Sequence, residues 1–374
     1  MNRLGWILCC IVVSSCNMKD RNLEIEWNVA GKLPEGADNA AHIGVAGAVT
    51  GILSDMLVVA GGANFPKEMP WDGGTKAYSK EVYLYTKGQN NEFILSNTQS
   101  FEDSVAYAAN VSFDNSIYSI GGERNGKATS DVYRYFIENK SFKRVQLPSL
   151  PLSLTNGAAV QVGGDLYFVG GENADLVSNK IYRLHLSAGG GEWEEFFEMP
   201  KPLTHMVVAS DAKDNIYIIG GRKRNTNAKS DMYNEVYSIN VDSKKVELLD
   251  TLPEALAAGT GGYANGNLIV IGGDNAQTFH RVEELIGAIN LESDESKKAE
   301  LITKKNDIQR AHSGFSPNVW YYNLEERTWK ASNQIKGASP VTTTAIIHKN
   351  LIVIPSGEVR AGVRTDQILM GKIK

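Results

Sequence analysis

The chain has 374 residues, 22% charged and 42% hydrophobic, an ordinary balance for a globular protein, with a formal net charge of −5. That charge, without any basic stripe, gives no footing for a phosphate backbone, so no nucleic-acid partner is expected. Thirty-six glycines spread among 15 tyrosines and 6 tryptophans favour many short strands joined by tight turns.

The chain opens MNRLGWILCCIVVSSC, a basic Arg3, an apolar run from Leu4 to Val13, then small residues before Cys16. Such a run is too short for a stable transmembrane helix and suits a signal segment. Val13-Ser14-Ser15-Cys16 resembles a bacterial lipobox. Residues 1–16 are therefore expected to be a lipoprotein-type signal peptide with Cys16 lipidated; a plain signal peptide containing cysteines is the other reading. Residues 17–23 would be a tether, and the lipid the only membrane contact of an exported cell-envelope or periplasmic protein. With Cys9, Cys10 and Cys16 all inside this leader, a mature chain would have neither a disulfide nor thiol chemistry.

From there to residue 374 one unit repeats. Apolar runs end in Gly-Gly at Gly61-Gly62, Gly121-Gly122, Gly170-Gly171, Gly220-Gly221 and Gly272-Gly273, and a sixth ends in Ser356-Gly357. The intervals are 60, 49, 50, 52 and 84 residues, mostly near the roughly 50-residue kelch period. Each unit reads as a small-residue strand, a strand ending in the glycines, an aromatic strand such as EVYLY or DVYRY, and a last strand often opening with Trp. Four strands per unit predict propeller blades. Glycine suits the sharp turns where bulkier side chains would collide.

EIEWNVAGKLP (24–34) is a fourth-type strand with no unit before it, and the last unit lacks its fourth strand. The expected fold is therefore all-β: a six-bladed kelch β-propeller over 24–374, closed by pairing the N-terminal strand with the C-terminal blade. The long interval holds an insertion at 274–316, between the second and third strands of blade five. Val282, Leu285, Ile286 and Ile289 there fall at helical spacing, and the charged stretch after them reads as a second, more exposed helix. A surface decoration and a cap over one face of the ring both fit this pattern.

In such a ring the loops after every second strand emerge around the axis on one face, where binding residues are usually carried. They begin Ala63-Asn64-Phe65, Glu123-Arg124, Glu172-Asn173, Arg222-Lys223-Arg224, Asp274-Asn275 and Glu358-Val359-Arg360. A copper-radical oxidase built on kelch blades needs a Tyr–Cys crosslink, and Asp-box turns, G-x-S-x-G, HExxH and a phosphate loop are all missing. The six histidines lack ligand spacing, so no metal or cofactor is expected; His205 alone sits where it would face the channel mouth. Glu358 with its arginines remains. A carboxylate serves as general acid or base, and an Arg fork matches a ligand carboxylate. An adjacent guanidinium favours the ionised carboxylate, which makes a base role the simpler expectation. This set suits a small acidic sugar that needs proton transfer.

Three segments carry a family resemblance: GGANFPKEMPWDGGTKAYSKEVYLY (61–85), GGDNAQTF (272–279) and GEVRAGVRTD (357–366). They resemble the kelch-type N-acetylneuraminate mutarotases, or sialic acid epimerases, in the branch with cyclically permuted blades. The resemblance implies interconversion of the α and β anomers of sialic acid by ring opening and reclosure. It implies Glu358 as the group taking the anomeric hydroxyl proton and Arg364 as the holder of the carboxylate or developing oxyanion. Asn64, Arg124, Arg222, Asn275 and Arg360 are the expected substrate contacts, the first four from ring position. One departure stands out: non-permuted members carry an Arg at the entry to one blade, where this chain reads PLTHMVV with Thr204 and His205. A non-catalytic sugar-binding or scaffold propeller of the cell envelope is the alternative.

Overall fold

The blades' second strands, such as Ser116–Ile120 and Asn267–Ile271, are buried at every position. Continuous burial of that kind requires cover on both faces of a sheet, which neighbouring blades supply. Outer strands such as Phe93–Ser100 instead keep most of their residues toward solvent. The coordinates, a computed structural model, describe residues 22–374 apart from 36–40, 187–190 and 212. The expected leader and most of the tether, Cys16 included, lie outside the described residues.

Among the described residues the strands form six four-stranded antiparallel sheets. Their innermost strands are Val49–Leu53, Ala109–Phe113, Ala158–Val162, Val207–Ser210, Thr260–Ala264 and Ile346–His348, taken here as blades one to six. Blade six takes its outermost strand from the start of the chain: Ile25–Lys32 pairs with Gln367–Ile373, from Ile25 opposite Ile373 to Lys32 opposite Gln367. The sixfold pattern and its closure are as the repeat grammar predicts.

The core is correspondingly divided into wedges between adjacent blades. Val353, Ile368 and Met370 of blade six, for example, pack on Leu57, Val59, Tyr83 and Tyr85 of blade one. Burial of apolar area at about 25 cal/mol per Å² holds these seams together, so each blade depends on both its neighbours.

Around the axis the backbone makes a second closure. Gly47, Tyr107, Asn156, His205, Ala258 and Thr342 all have positive φ, between 50° and 66°. Each donates its N–H to the carbonyl of the previous member, and Gly47 donates to Thr342, at 2.7 to 3.1 Å. This hydrogen-bonded hexagon forms a throat between a channel lined by the innermost strands and the face carrying the Gly-Gly loops.

The insertion consists of two helices, α1 (Gln277–Leu291) and α2 (Glu295–Arg310), placed between Asn267–Ile271 and Val319–Asn323 of blade five. In α1 Val282, Leu285 and Gly287 are buried, whereas α2 buries no residue.

Candidate functional site

Immediately before each throat residue, one residue bridges to the first residue after a Gly-Gly pair or, in blade six, after Ser356-Gly357. The pairs are Ala46–Ala63, Ala106–Glu123, Thr155–Glu172, Thr204–Arg222, Ala257–Asp274 and Val341–Glu358. Five of those six post-glycine positions carry charged side chains, so the ring scaffold sets charge around the throat mouth. What distinguishes the positions is how each charge is spent.

Glu123 accepts a 2.6 Å hydrogen bond from Tyr78 and lies 3.6 Å from Lys76. Glu172 is shared between Arg222 at 3.5 Å and Arg224 at 3.3 Å. Glu358 sits opposite Arg364 in the hairpin Glu358–Arg360/Val363–Arg364. One of its oxygens accepts from the Gly362 N–H at 2.7 Å. The other lies 3.3 Å from Arg364 Nη2, with the Arg364 side chain 4% exposed and that of Glu358 18%. The guanidinium also lies over the Phe65 ring, 4.9 Å from its centroid. Its Nε and Nη1 are buried without a hydrogen-bond partner. Unpaired donors on a buried cation are costly to keep, and they leave Arg364 equipped to receive an anion.

Both residues line a cavity of about 390 Å³. Its floor is the throat, with His205, Ala258 and Thr342; its polar walls add Arg222, Asp274 and His312; its apolar walls are Phe65, Phe279, Val282, Ile286 and Phe315. Thr278, Phe279, Val282 and Ile286 belong to α1, so the insertion does form a wall of this space. It is fastened on two sides. Glu283 of α1 accepts from Ser230 N and Oγ at 2.9 and 2.6 Å on the blade-four hairpin, Arg222–Asn225 paired with Ala228–Met232, and Arg310 of α2 meets Asp72, from the loop of blade one, at 2.9 Å.

Burial is the main force on the titratable groups here. It drives the His205 imidazole well below its usual range, with Arg222 adding to the effect. It lowers His312 as well, against the pull of Asp274 and Glu358. His312 Nδ1 accepts from the Gly314 N–H at 3.0 Å, so the neutral ring carries its proton on Nε2. Burial raises the Asp274 carboxyl, outweighing a hydrogen bond from the Ala276 N–H and the downward pull of the nearby His312, Arg222 and His280. Among the described residues no group of three or more His, Cys, Asp and Glu side chains is disposed to hold a metal.

Of the residues expected from sequence, Glu358, Arg364 and Arg222 meet at the cavity. Arg222 is held by Ser230 and Glu172 and stacks on Phe279 at 5.1 Å. The other four are placed elsewhere. Asn64 donates to the Gly44 carbonyl at 2.9 Å. Arg124 is engaged by Asp131 at 2.9 Å, Asp103 at 3.5 Å and the Tyr133 hydroxyl at 2.9 Å. Asn275 is exposed and accepts from Gln277 N, and Arg360 is exposed on the hairpin. The cavity lining that sequence reasoning did not select includes Phe65, Asp274, Phe279 and His312. Asp274 and Phe65 stand in the loop openings already singled out, and Phe279 ends the GGDNAQTF segment that carries the family resemblance; nothing local marks His312.

These features define a class: a closed six-bladed kelch propeller with a carboxylate–guanidinium pair under a helical wall. A family model described as N-acetylneuraminate epimerase matches residues 147–374, and the chain belongs to that family. Curated relatives named N-acetylneuraminate epimerase include one from Salmonella typhi, 27% identical over 225 residues, which are 59% of this chain and 57% of the relative. Another, from Haemophilus influenzae (strain 86-028NP), is 23% identical over 226 residues, 60% of this chain and 59% of the relative. The match thus spans less than two thirds of those relatives' length. The solved structure reported as "Structure of YjhT" is similar in fold, with a TM-score of 0.62 at 14% identity, over 91% of this chain and 99% of that one.

Proposed function

We propose that the protein is a mutarotase that interconverts the α and β anomers of N-acetylneuraminate. The observation that carries the reading is the Glu358–Arg364 contact on the cavity wall, where a buried guanidinium keeps two nitrogens unpaired. A sugar acid directed there offers its carboxylate to Arg364, and an Arg–carboxylate hydrogen bond is strong and directional. Glu358, adjacent to that anchor, takes the proton from the anomeric hydroxyl. The ring C–O bond then breaks, the open-chain ketone forms, and reclosure on the opposite carbonyl face gives the other anomer. The apolar wall from α1 shields the site from bulk water and suits the non-polar faces of the sugar. Cyclic hemiketals already open slowly in water, so one placed base, worth about 10²–10⁴ in rate, is sufficient. The names of the family and of the relatives support the same substrate.

The test is an NMR time course starting from the pure α-anomer. Wild type shortens the approach to equilibrium, and Glu358→Gln removes at least about 10²-fold of the acceleration. Equal rates for the two proteins sink the assignment and leave a sugar-binding or scaffold propeller. We also propose export and lipidation at Cys16, on the strength of the Val13–Cys16 motif; Cys16→Ser should move the protein from the membrane to the soluble envelope fraction.

A further inference from the structure

We infer that Asp274 is a second catalytic carboxyl, the group that passes a proton to the ring oxygen as the sugar opens and retrieves it on reclosure. This rests on the mutarotase reading above and extends it to the other half of the proton traffic. Opening a cyclic hemiketal moves two protons in opposite senses: one leaves the anomeric hydroxyl and one arrives at the departing ring oxygen. A single carboxylate can attend to only one of these at a time.

The scaffold places a second carboxyl within the same cavity. Asp274 and Glu358 occupy equivalent positions in neighbouring blades, bridged to Ala257 and Val341. The throat residues that follow those two, Ala258 and Thr342, are hydrogen-bonded to each other at 3.0 Å. Both carboxyl-bearing residues line the same space. Their settings differ in the way an acid–base pair requires. Glu358 has a guanidinium 3.3 Å away. Asp274 has one N–H donor, Ala276 at 2.8 Å, and among the described residues no salt-bridge partner. Burial favours its protonated form, although His312, Arg222 and His280 all face it with the opposite influence. His312 feels the charge of both carboxyls and lines the same cavity.

The balance closes without any other reactant. Glu358 takes the hydroxyl proton while the carbonyl double bond forms. The ring C–O electron pair stays with the ring oxygen, which takes the Asp274 proton. Glu358 is left protonated and Asp274 ionised, and reclosure on the other face reverses both transfers.

Asp274→Asn tests this, because the amide oxygen still accepts from Ala276 but the side chain has no acidic proton to give. The expected result is a fall in kcat/KM of about 10²-fold with KM for the sugar nearly unchanged. The wild-type profile should decline on the alkaline side as Asp274 loses its proton, and that decline should be absent from the residual activity of the variant. Asp274→Glu should recover part of the rate. A wild-type rate in Asp274→Asn, or an alkaline decline that persists in it, overturns the role. Should the variant fail to fold, a wild-type profile with no alkaline decline overturns it equally. If wild type itself does not accelerate mutarotation, the mutarotase reading falls and Asp274's role with it. If wild type is active and Glu358→Gln is not, while Asp274→Asn is unaffected, only the second carboxyl is lost.

Discussion

Five blades place a glycine with φ between 61° and 68° at the end of the second strand, and the sixth places Ser356 there at 59°. A side chain in that region costs about 1–2 kcal/mol, so Ser356 must return more than it costs. Its hydroxyl accepts from Val45 N at 2.9 Å and reaches the Val45 and Thr365 carbonyls at 2.8 and 2.7 Å, one of which takes its proton. It thereby ties the segment entering blade one to Thr365, the residue next to Arg364. Ser356→Ala keeps the strained backbone and loses these bonds, so it should lower stability by about 2–3 kcal/mol in urea unfolding. Ser356→Gly loses the same bonds but relieves the strain, and should cost about 1 kcal/mol less. Arg364 is a different kind of residue: beyond Glu358 and the Phe65 ring, its buried Nε and Nη1 have no hydrogen-bond partner in the fold, which fits the proposed role of anchoring the ligand. In Arg364→Lys the charge persists while the planar stacking on Phe65 and the spare nitrogens go. KM should rise at least about tenfold, with the unfolding midpoint almost unmoved, as measured by NMR kinetics and urea titration on the same preparation.

Among the elements, the insertion decides whether the face of the ring is a surface or a pocket. Helix α1 approaches the blade-four hairpin so closely that a Cβ on Gly287 would lie 2.8 Å from the Asn227 carbonyl oxygen. Replacing a mid-helix glycine normally gains about 1 kcal/mol in helix propensity; here a rigid backbone atom stands in the way. Gly287→Val should push α1 outward and shift Phe279 and Val282 from the cavity. KM is then expected to rise about tenfold, equivalent to 1.4 kcal/mol, while the blades unfold as before. The helical spacing of Val282 and Leu285 was readable in the sequence, as were the Gly-Gly register and the unmatched strand at 24–34. Those are local periodicities that backbone geometry enforces. The Glu358–Arg364 pair was readable through the GEVRAGVRTD segment; that a hairpin sets the two opposite each other came from the structure. What sequence could not supply is how side chains are spent: Arg124 has the ring position of a ligand contact, yet Asp131, Asp103 and Tyr133 claim it. Phe279 and His312 join the site from opposite ends of the insertion, and only the docked helices bring them to one wall.

On the scale of the whole molecule, six blades meet at one hexagon of backbone hydrogen bonds, and a histidine stands in it. His205 is held neutral by burial, as are His312 and His42 to lesser degrees. Because these folded-state pKa values lie below the unfolded value of 6.5, the unfolded chain takes up protons first as pH falls. The contribution to stability is therefore complete above about pH 6.5 and is lost progressively below it, toward the folded values. Each proton of difference gives a slope of about 1.4 kcal/mol per pH unit. Asp274 has the opposite sign, since its folded pKa is raised above 3.8; the penalty of its ionised form is relieved on acidification through that raised value and offsets part of the histidines' effect. Between neutrality and about pH 5 the histidines should prevail, and the propeller should lose stability. His205→Asn isolates the throat's share. Asparagine tolerates positive φ, and Asn156 already holds the equivalent place in blade three at the same φ of 56°. Urea titrations of wild type and His205→Asn at about pH 7 and pH 5 should show the variant losing about 1–2 kcal/mol less on acidification. An equal loss in both would remove His205 from the acid sensitivity of the ring and leave it to His312 and His42.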